Sequence, residues 1–139
     1  MDEFNLLKQL LIRHEDIRLK PYPCSEGKLT IGCGRNLEDI GISKEEALFL
    51  LSNDMIRVNS EAEKTFPWFS ELSEVRQAVV LSMLFNLGLT RLGNFKKFLI
   101  SLDKRNYENA ANEMLLSKWA GQVGKRALAL SLMMRTNEI

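Results

Sequence analysis

Apolar residues near the start of the chain recur at helical spacing. Phe4, Leu7 and Leu11 are separated by three and four positions, which places them on one face of a helix. The pattern predicts a short first helix that begins at Phe4 and ends at Arg13 or His14.

The next segment has the composition of a β-hairpin. Pro21 and Pro23 exclude a continuing helix and favour extended backbone. Residues 25–28, Ser-Glu-Gly-Lys, are typical of a turn, and residues 29–34 form a β-branched, glycine-interrupted strand pattern. We expect one hairpin over residues 18–35, with a possible third short strand before Gly41.

The rest of the chain has helical periodicity. Ser43 and Glu46 have capping-box spacing, and the apolar stripe behind them continues to Ala62, about five turns. Pro67 closes this segment. Further helices are predicted from just after Ser73 to Gly88 and over residues 94–102, 107–118 and 122–135.

These elements predict an α+β fold that is predominantly α-helical. The length of 139 residues suits one domain. Within a single domain of residues 1–139 we expect a hairpin lobe over about 15–42. A helical lobe over about 43–139 would have the first helix packed on it.

Composition and charge exclude several classes of function. The net charge of +1, from 19 basic and 18 acidic residues, gives no general reason to expect binding to nucleic acid. Basic residues are denser after Arg91, so one face could still meet an anionic polymer. One histidine and two cysteines are too few for a zinc site or a disulfide scaffold, and no metal or cofactor is expected.

The first residues lack the pattern of a secretory signal, and no apolar run reaches the length of a membrane span. We therefore expect a protein that folds in the cytoplasm without stable membrane insertion.

Three side chains around the predicted hairpin suggest chemistry. Glu15 follows the carboxyl end of the first helix, where the helix dipole favours a protonated acid of the kind that cleaves a glycosidic bond. Cys24 and Thr30 would face the same cleft from the two strands, and Gly32 and Gly34 would admit a sugar. The same residues also fit a solvated helix end, a small apolar residue and an ordinary strand residue, so the spacing alone leaves both interpretations open.

The segment closely resembles the T-even phage lysozyme family of glycoside hydrolases. That family's signature is a Glu, eight residues, an Asp or Cys, five residues and a Thr, matched here by Glu15, Cys24 and Thr30. The flanking residues 19–34 also match, and the similarity continues downstream through residues 83–88, Phe95, Ala110–Ala111, Ser117–Trp119, Gln122, Arg126 and Arg135–Thr136. The resemblance therefore covers nearly the whole chain and implies a lysozyme-like fold.

The resemblance implies a role for each matched residue. Glu15 would be the general acid, Cys24 would take the place of the second carboxylate beside the developing oxocarbenium carbon, and Thr30 would orient a water. Arg126 would pair with Glu15 and hold its rotamer. Phe85 and Asn86 would line the sugar-binding cleft, although Phe85 equally fits an apolar helix face.

The sequence departs from the family pattern at three places. Cys24 replaces the usual aspartate, which weakens stabilisation of a cation unless the thiol ionises, with Arg18 and Lys20 as neighbours that could assist. The connection from Gly34 to Ser43 is short, and Arg35 stands where a histidine is common, so one ion pair that braces the lobe would differ.

The implied function is an endolysin: a muramidase that hydrolyses the β-1,4 bond between N-acetylmuramic acid and N-acetylglucosamine and lyses bacterial cells. Its partner would be the peptidoglycan strand, it would act as a monomer, and a holin-type protein would release it from the host cytoplasm to the cell wall. The alternatives are a lytic transglycosylase, an inactive wall-binding relative and, more distantly, a helix-turn-helix nucleic-acid-binding module formed by residues 107–135 around Gly121.

Overall fold

The computed structural model describes residues 2–139, so Met1, which the predicted domain includes, lies outside the described residues. Contacts between residues divide the chain into two compact units, of which the first ends at Leu50 and the second begins at Leu51. The prediction of a single domain, with the first helix packed on the helical lobe, stays a prediction.

The first unit begins with helix α1, Glu3–Glu15. The Asp2 side chain caps it by accepting a hydrogen bond from the Asn5 N–H at 2.8 Å. The helix ends at Asp16, which has a φ of 63° and donates its N–H to the Ile12 carbonyl. The predicted end at Arg13 or His14 is therefore too early. The backbone hydrogen bonds of the helix continue beyond its last apolar residue. Glu15 is the last helical residue and not the first residue beyond the helix.

A three-stranded antiparallel sheet follows, in the order β1 (Arg18–Pro23), β2 (Leu29–Gly32) and β3 (Arg35–Asn36). The hairpin and the third strand are confirmed. Thr30 lies on the central strand, opposite Tyr22 on β1 and Asn36 on β3, and only 3% of it is exposed.

Helix α2, Lys44–Thr65, begins in the first unit and continues into the second. The capping box is confirmed: the Ser43 N–H donates to Glu46 Oε1 at 2.9 Å, and the Glu46 N–H donates to Ser43 Oγ at 3.1 Å. A short 3₁₀ turn, Phe69–Glu71, follows the segment that Pro67 closes.

The second unit adds five helices among the described residues. They are α3 (Glu74–Gly93), α4 (Lys96–Asp103), α5 (Tyr107–Leu116), α6 (Lys118–Val123) and α7 (Lys125–Thr136). Gly88, with a φ of 79°, interrupts α3 where the helix was predicted to end, but helical structure resumes and continues to Gly93.

The helix predicted over residues 122–135 is present as α7 but begins later, at Lys125, and the sequence did not predict α6 before it. The Ser117 hydroxyl accepts a hydrogen bond from the Ala120 N–H and so begins α6 earlier, while Gly124, with a φ of 56°, separates α6 from α7. Gly121 lies inside α6 and not in a turn between two longer helices. The elements required by the helix-turn-helix alternative are therefore not formed as expected.

The buried apolar core of the described residues lies in the second unit, from Val58 to Met134. Helix α3 contributes Val79, Val80, Met83 and Leu84, whose spacing places them on one face. Helix α5 packs against α4 and α7, and α7 also packs against α3. Helices and a small antiparallel sheet confirm the predominantly helical α+β class.

Within residues 2–139, no single helix is both long and apolar enough to cross a membrane. Helices α3 and α4 meet that test only as a pair, and they are bent by 105° at the break between them.

Candidate active site

Cys24 lies in the turn that joins β1 to β2, and its thiol is held by that turn. The backbone closes the turn through the Cys24 N–H, which donates to the Lys28 carbonyl at 2.9 Å, and the Gly27 N–H, which donates to the Cys24 carbonyl at 2.8 Å. The N–H groups of Glu26 and then Lys28 donate to the sulfur, and they hold the pKa of Cys24 below its ordinary value. Partial burial and the Glu26 carboxylate oppose this shift without reversing it.

Thr30, on the central strand β2, lies close to the Cys24 sulfur. Its hydroxyl donates to the Lys28 carbonyl at 2.9 Å and is also within hydrogen-bonding reach of Cys24, where it helps to lower the pKa of the thiol. One hydroxyl hydrogen thus has two acceptors in reach, and the oxygen keeps lone pairs that can accept from a water. The structure brings Cys24 and Thr30 together, as the sequence predicts.

Glu15 lies against the turn between β2 and β3. A Cβ atom added at Gly34 would be 3.0 Å from Glu15 Oε2 and 3.1 Å from its carboxyl carbon, so the carboxyl group rests on the bare α-carbon of this glycine. Gly34 also has a φ of 83°, which other residues rarely adopt. We expected a sugar to approach the backbone at Gly34, but the group that lies close to this glycine is the Glu15 carboxyl group. At Gly32, an added Cβ atom would meet nothing within 4 Å.

Arg35 ties the same turn to the start of α2. Its two terminal nitrogens each lie 2.8 Å from a carboxylate oxygen of Glu46, and Nη1 also donates to the Gly41 carbonyl at 3.1 Å. The guanidinium lowers the pKa of Glu46 to about 2, and the carboxylate raises the pKa of Arg35. Arg35 is therefore paired with Glu46, and the expected difference from the family's ion pair stays a prediction.

Phe85 and Arg126 line a groove of about 770 Å³ in the second unit. The groove is mainly apolar, with Leu51, Met55 and Leu81 among its lining side chains. The Arg126 guanidinium donates to Ser82 Oγ at 2.9 Å and lies 3.4 Å from the Ser82 carbonyl. The pairing of Arg126 with Glu15 and the contact of Phe85 with sugar stay predictions.

Asn86 has a structural contact that the sequence does not reveal. Its Oδ1 accepts a hydrogen bond from the indole N–H of Trp119 at 2.8 Å, and Trp119 is only 2% exposed. The carbonyl oxygen of Asn86 therefore satisfies a buried donor on α6. Its predicted role in the sugar cleft stays a prediction. The side-chain NH2 group of Asn86, which this hydrogen bond does not use, is the group that would bind sugar.

Sequence reasoning missed the groups that act on the Cys24 sulfur. Arg18 and Lys20 were the expected neighbours, but the shift comes from the backbone N–H groups of Glu26 and Lys28. The Arg18 guanidinium instead lies over the Tyr22 ring, 4.6 Å from its centre. The Ser-Glu-Gly-Lys turn was the available signal, since a tight turn after Cys24 points its N–H groups back toward that residue.

No group of three or more His, Cys, Asp or Glu side chains within residues 2–139 is arranged to hold a metal ion. Cys24 and Cys33 are both free thiols, the first partly buried and the second exposed.

Comparison with known proteins adds family information to this geometry. The family model described as phage lysozyme matches residues 12–138, a range that includes Glu15, Cys24 and Thr30. An endolysin of Acyrthosiphon pisum secondary endosymbiont phage 1 is 29% identical over 121 residues, which cover 84% of this chain and 80% of the relative. A probable T4-type lysozyme 2 of Dictyostelium discoideum is 26% identical and covers 87% of this chain and 88% of its own length.

Proposed function

Because this chain belongs to the phage lysozyme family and is a lysozyme-type cell-wall hydrolase, we propose that it is an endo-acting muramidase. The bond cleaved is the β-1,4 linkage between N-acetylmuramic acid and N-acetylglucosamine in peptidoglycan. No cofactor takes part in the proposed reaction.

In the proposed reaction, Glu15 gives its proton to the glycosidic oxygen as the bond to the anomeric carbon breaks. A water bound by the Thr30 hydroxyl adds to the anomeric carbon, and the Cys24 thiolate accepts the proton that this water loses. Glu15 is left as a carboxylate and Cys24 as a thiol, and proton exchange with solvent restores both. The negative thiolate also stabilises the positive charge that develops on the sugar ring.

The observation that carries this proposal is that Cys24 and Thr30 both bond to the Lys28 carbonyl in one turn, where donors near the Cys24 sulfur lower the pKa of its thiol. Each of these donors favours the thiolate over the thiol. A cysteine in this environment can supply the negative charge that an aspartate supplies at the corresponding family position. The family match over residues 12–138 supports the assignment of the acid to Glu15.

Replacement of Glu15 by Gln tests the general acid. We expect Glu15→Gln to abolish the release of reducing ends from purified peptidoglycan and the lysis of permeabilised Gram-negative cells, because an amide cannot donate the proton. Glu3→Gln, at the other end of α1, is the matched control and should retain activity. Full activity of Glu15→Gln, with a wild-type thermal transition for both variants, would contradict the assignment.

Substitutions at Cys24 test the second group. Cys24→Asp should preserve or increase activity because it restores a carboxylate, while Cys24→Ala should lower kcat by roughly 10²-fold or more. A thiol-blocking reagent should inactivate the wild type and leave Cys24→Asp active. Full activity of Cys24→Ala would show that this side chain has no catalytic role.

A lytic transglycosylase is the second candidate, since an acid in the position of Glu15 could serve that reaction alone. Thr30 beside a thiol with a lowered pKa favours hydrolysis, because a hydroxyl can hold a water and an ionised thiol can deprotonate it. Mass spectrometry of the digested muropeptides distinguishes the reactions: reducing ends indicate hydrolysis, and anhydro ends indicate transglycosylation.

We further propose that the protein acts as a phage endolysin, as the name of one relative suggests. A monomer would be held in the host cytoplasm until a holin-type protein permeabilises the membrane, and the enzyme would then act on the cell wall. Co-expression with and without such a protein tests this dependence: lysis by the chain alone would contradict it.

A further inference from the structure

Two sets of contacts meet at the turn between β2 and β3. On one side, the Glu15 carboxyl group rests on the α-carbon of Gly34, close enough that a Cβ atom there would be 3.0 Å from Oε2. On the other side, the next residue, Arg35, is bound to Glu46 through both terminal nitrogens. The residue that supports Glu15 and the residue that is bound to α2 are therefore adjacent in the chain.

The contacts of Arg35 fix both the position and the orientation of its guanidinium group relative to Glu46. A bidentate pair with Glu46 fixes the plane of the guanidinium group. The same Nη1 donates to the Gly41 carbonyl at 3.1 Å, so the side chain bridges α2 and the loop before it. Glu46 is held in turn by the Ser43 N–H of the capping box at 2.9 Å. These bonds attach the turn to the rigid first turn of α2.

The exposure of the pair argues against a mainly stabilising role. The Arg35 and Glu46 side chains are 37% and 44% exposed, and exposed ion pairs contribute little to global stability. The bidentate geometry of the pair, in contrast, is specific, and it holds the residue next to Gly34, which contacts Glu15. A position error of about 1 Å in a catalytic group can cost a large factor in rate.

We propose that Arg35 and Glu46 are positioning residues of the hydrolytic reaction: their ion pair holds the Gly34 turn in the place from which it supports the Glu15 carboxyl group. This inference rests on the proposed function. It differs from a stabilising role because it predicts an effect on the chemical step and not on substrate binding.

Glu46→Gln is the principal test. Glutamine keeps a side-chain oxygen for the Ser43 N–H, as capping boxes allow, and replaces the other carboxylate oxygen with an uncharged NH2 group that cannot accept from Arg35. Measured on purified glycan strands well below the Tm, kcat should fall about tenfold or more while KM changes by less than about twofold. The matched control is Glu61→Gln, which breaks the Arg57–Glu61 ion pair one turn apart on the same helix and should keep both constants.

Arg35→Lys is the second variant and carries the test if Glu46→Gln does not fold. Lysine keeps the charge but cannot reproduce the fork that binds both Glu46 oxygens and the Gly41 carbonyl. We expect a smaller loss of kcat at unchanged KM. A lowered Tm with wild-type kcat in the folded variants would overturn the inference, and so would a rise in KM alone. Failure of the wild type itself to release reducing ends would instead contradict the proposed function.

Discussion

At the scale of single residues, the environment of Cys24 favours the ionised form of its thiol, as the proposed catalytic role requires. Backbone N–H groups of the turn lower the pKa of the thiol, and the nearby Thr30 hydroxyl adds a smaller lowering. The thiolate fraction of any cysteine rises as the pH rises through its pKa, so a lowered pKa moves that rise to lower pH. The reactivity of the Cys24 thiol toward alkylation should therefore rise with pH through a midpoint below that of an ordinary cysteine.

Thr30→Val should weaken this effect, because valine cannot donate to the sulfur. We expect the pH midpoint of Cys24 alkylation by iodoacetamide to move upward relative to the parent. The measurement uses a Cys33→Ser background, since Cys33 is an exposed free thiol that would also react. Thr30→Ser keeps the hydroxyl and should restore the parent profile, whereas an unchanged midpoint in Thr30→Val would show that Thr30 does not act on the thiol.

At the scale of elements, side-chain hydrogen bonds connect helices whose contact the apolar pattern of the sequence does not predict. The clearest example joins α3 to α6, where Asn86 accepts the indole N–H of the buried Trp119. A buried donor that loses its acceptor carries its full desolvation cost. The contact therefore contributes to the second unit independently of any role in substrate binding.

Asn86→Ala should lower the free energy of unfolding by about 1–3 kcal/mol, because it leaves the Trp119 N–H without its acceptor. Urea denaturation followed by tryptophan fluorescence measures the change. Asn53→Ala, on the exposed surface of α2, is the control and should have little effect. If Asn86→Ala had wild-type stability and only a raised KM, the hydrogen bond would be dispensable and the residue's role would lie in binding sugar.

At the scale of the whole molecule, the two units differ in what holds them together. The buried apolar core of the described residues lies in the second unit, and the proposed site residues Glu15, Cys24 and Thr30 lie in the first. The first unit depends on turns, caps and ion pairs around a three-stranded sheet. Regions with few buried apolar contacts open at lower free energy than a packed core.

Hydrogen exchange should reveal this difference. We expect backbone N–H groups of β1–β3 to exchange faster than those of α3 around Val79–Leu84, because the latter lie in the packed core. Exchange followed by mass spectrometry of peptides compares the two segments in one sample. Equal protection of the sheet and of α3 would mean that the molecule opens as one cooperative unit.

The sequence by itself determined the features that depend on neighbouring residues. Pro21 and Pro23 excluded helix, the Ser43–Glu46 box began α2, and the Glu15, Cys24 and Thr30 spacing indicated the family once the flanking and downstream residues were added to it. These features follow from local backbone geometry and short-range hydrogen bonds, which a pattern records directly. The sequence did not predict α6, which lies between its cap at Ser117 and the break at Gly124. Neither of these two residues changes the apolar period of the segment.

Only the tertiary structure decided which distant groups meet. The contact of Glu15 with Gly34, the ion pair of Arg35 with Glu46, and the bond from Trp119 to Asn86 join residues separated by 11 to 33 positions. No local period encodes such pairs, since they form where folding brings separate elements together. The physical reason is that a side-chain hydrogen bond depends on distances and angles in space, and the order of residues in the chain constrains these only over short separations.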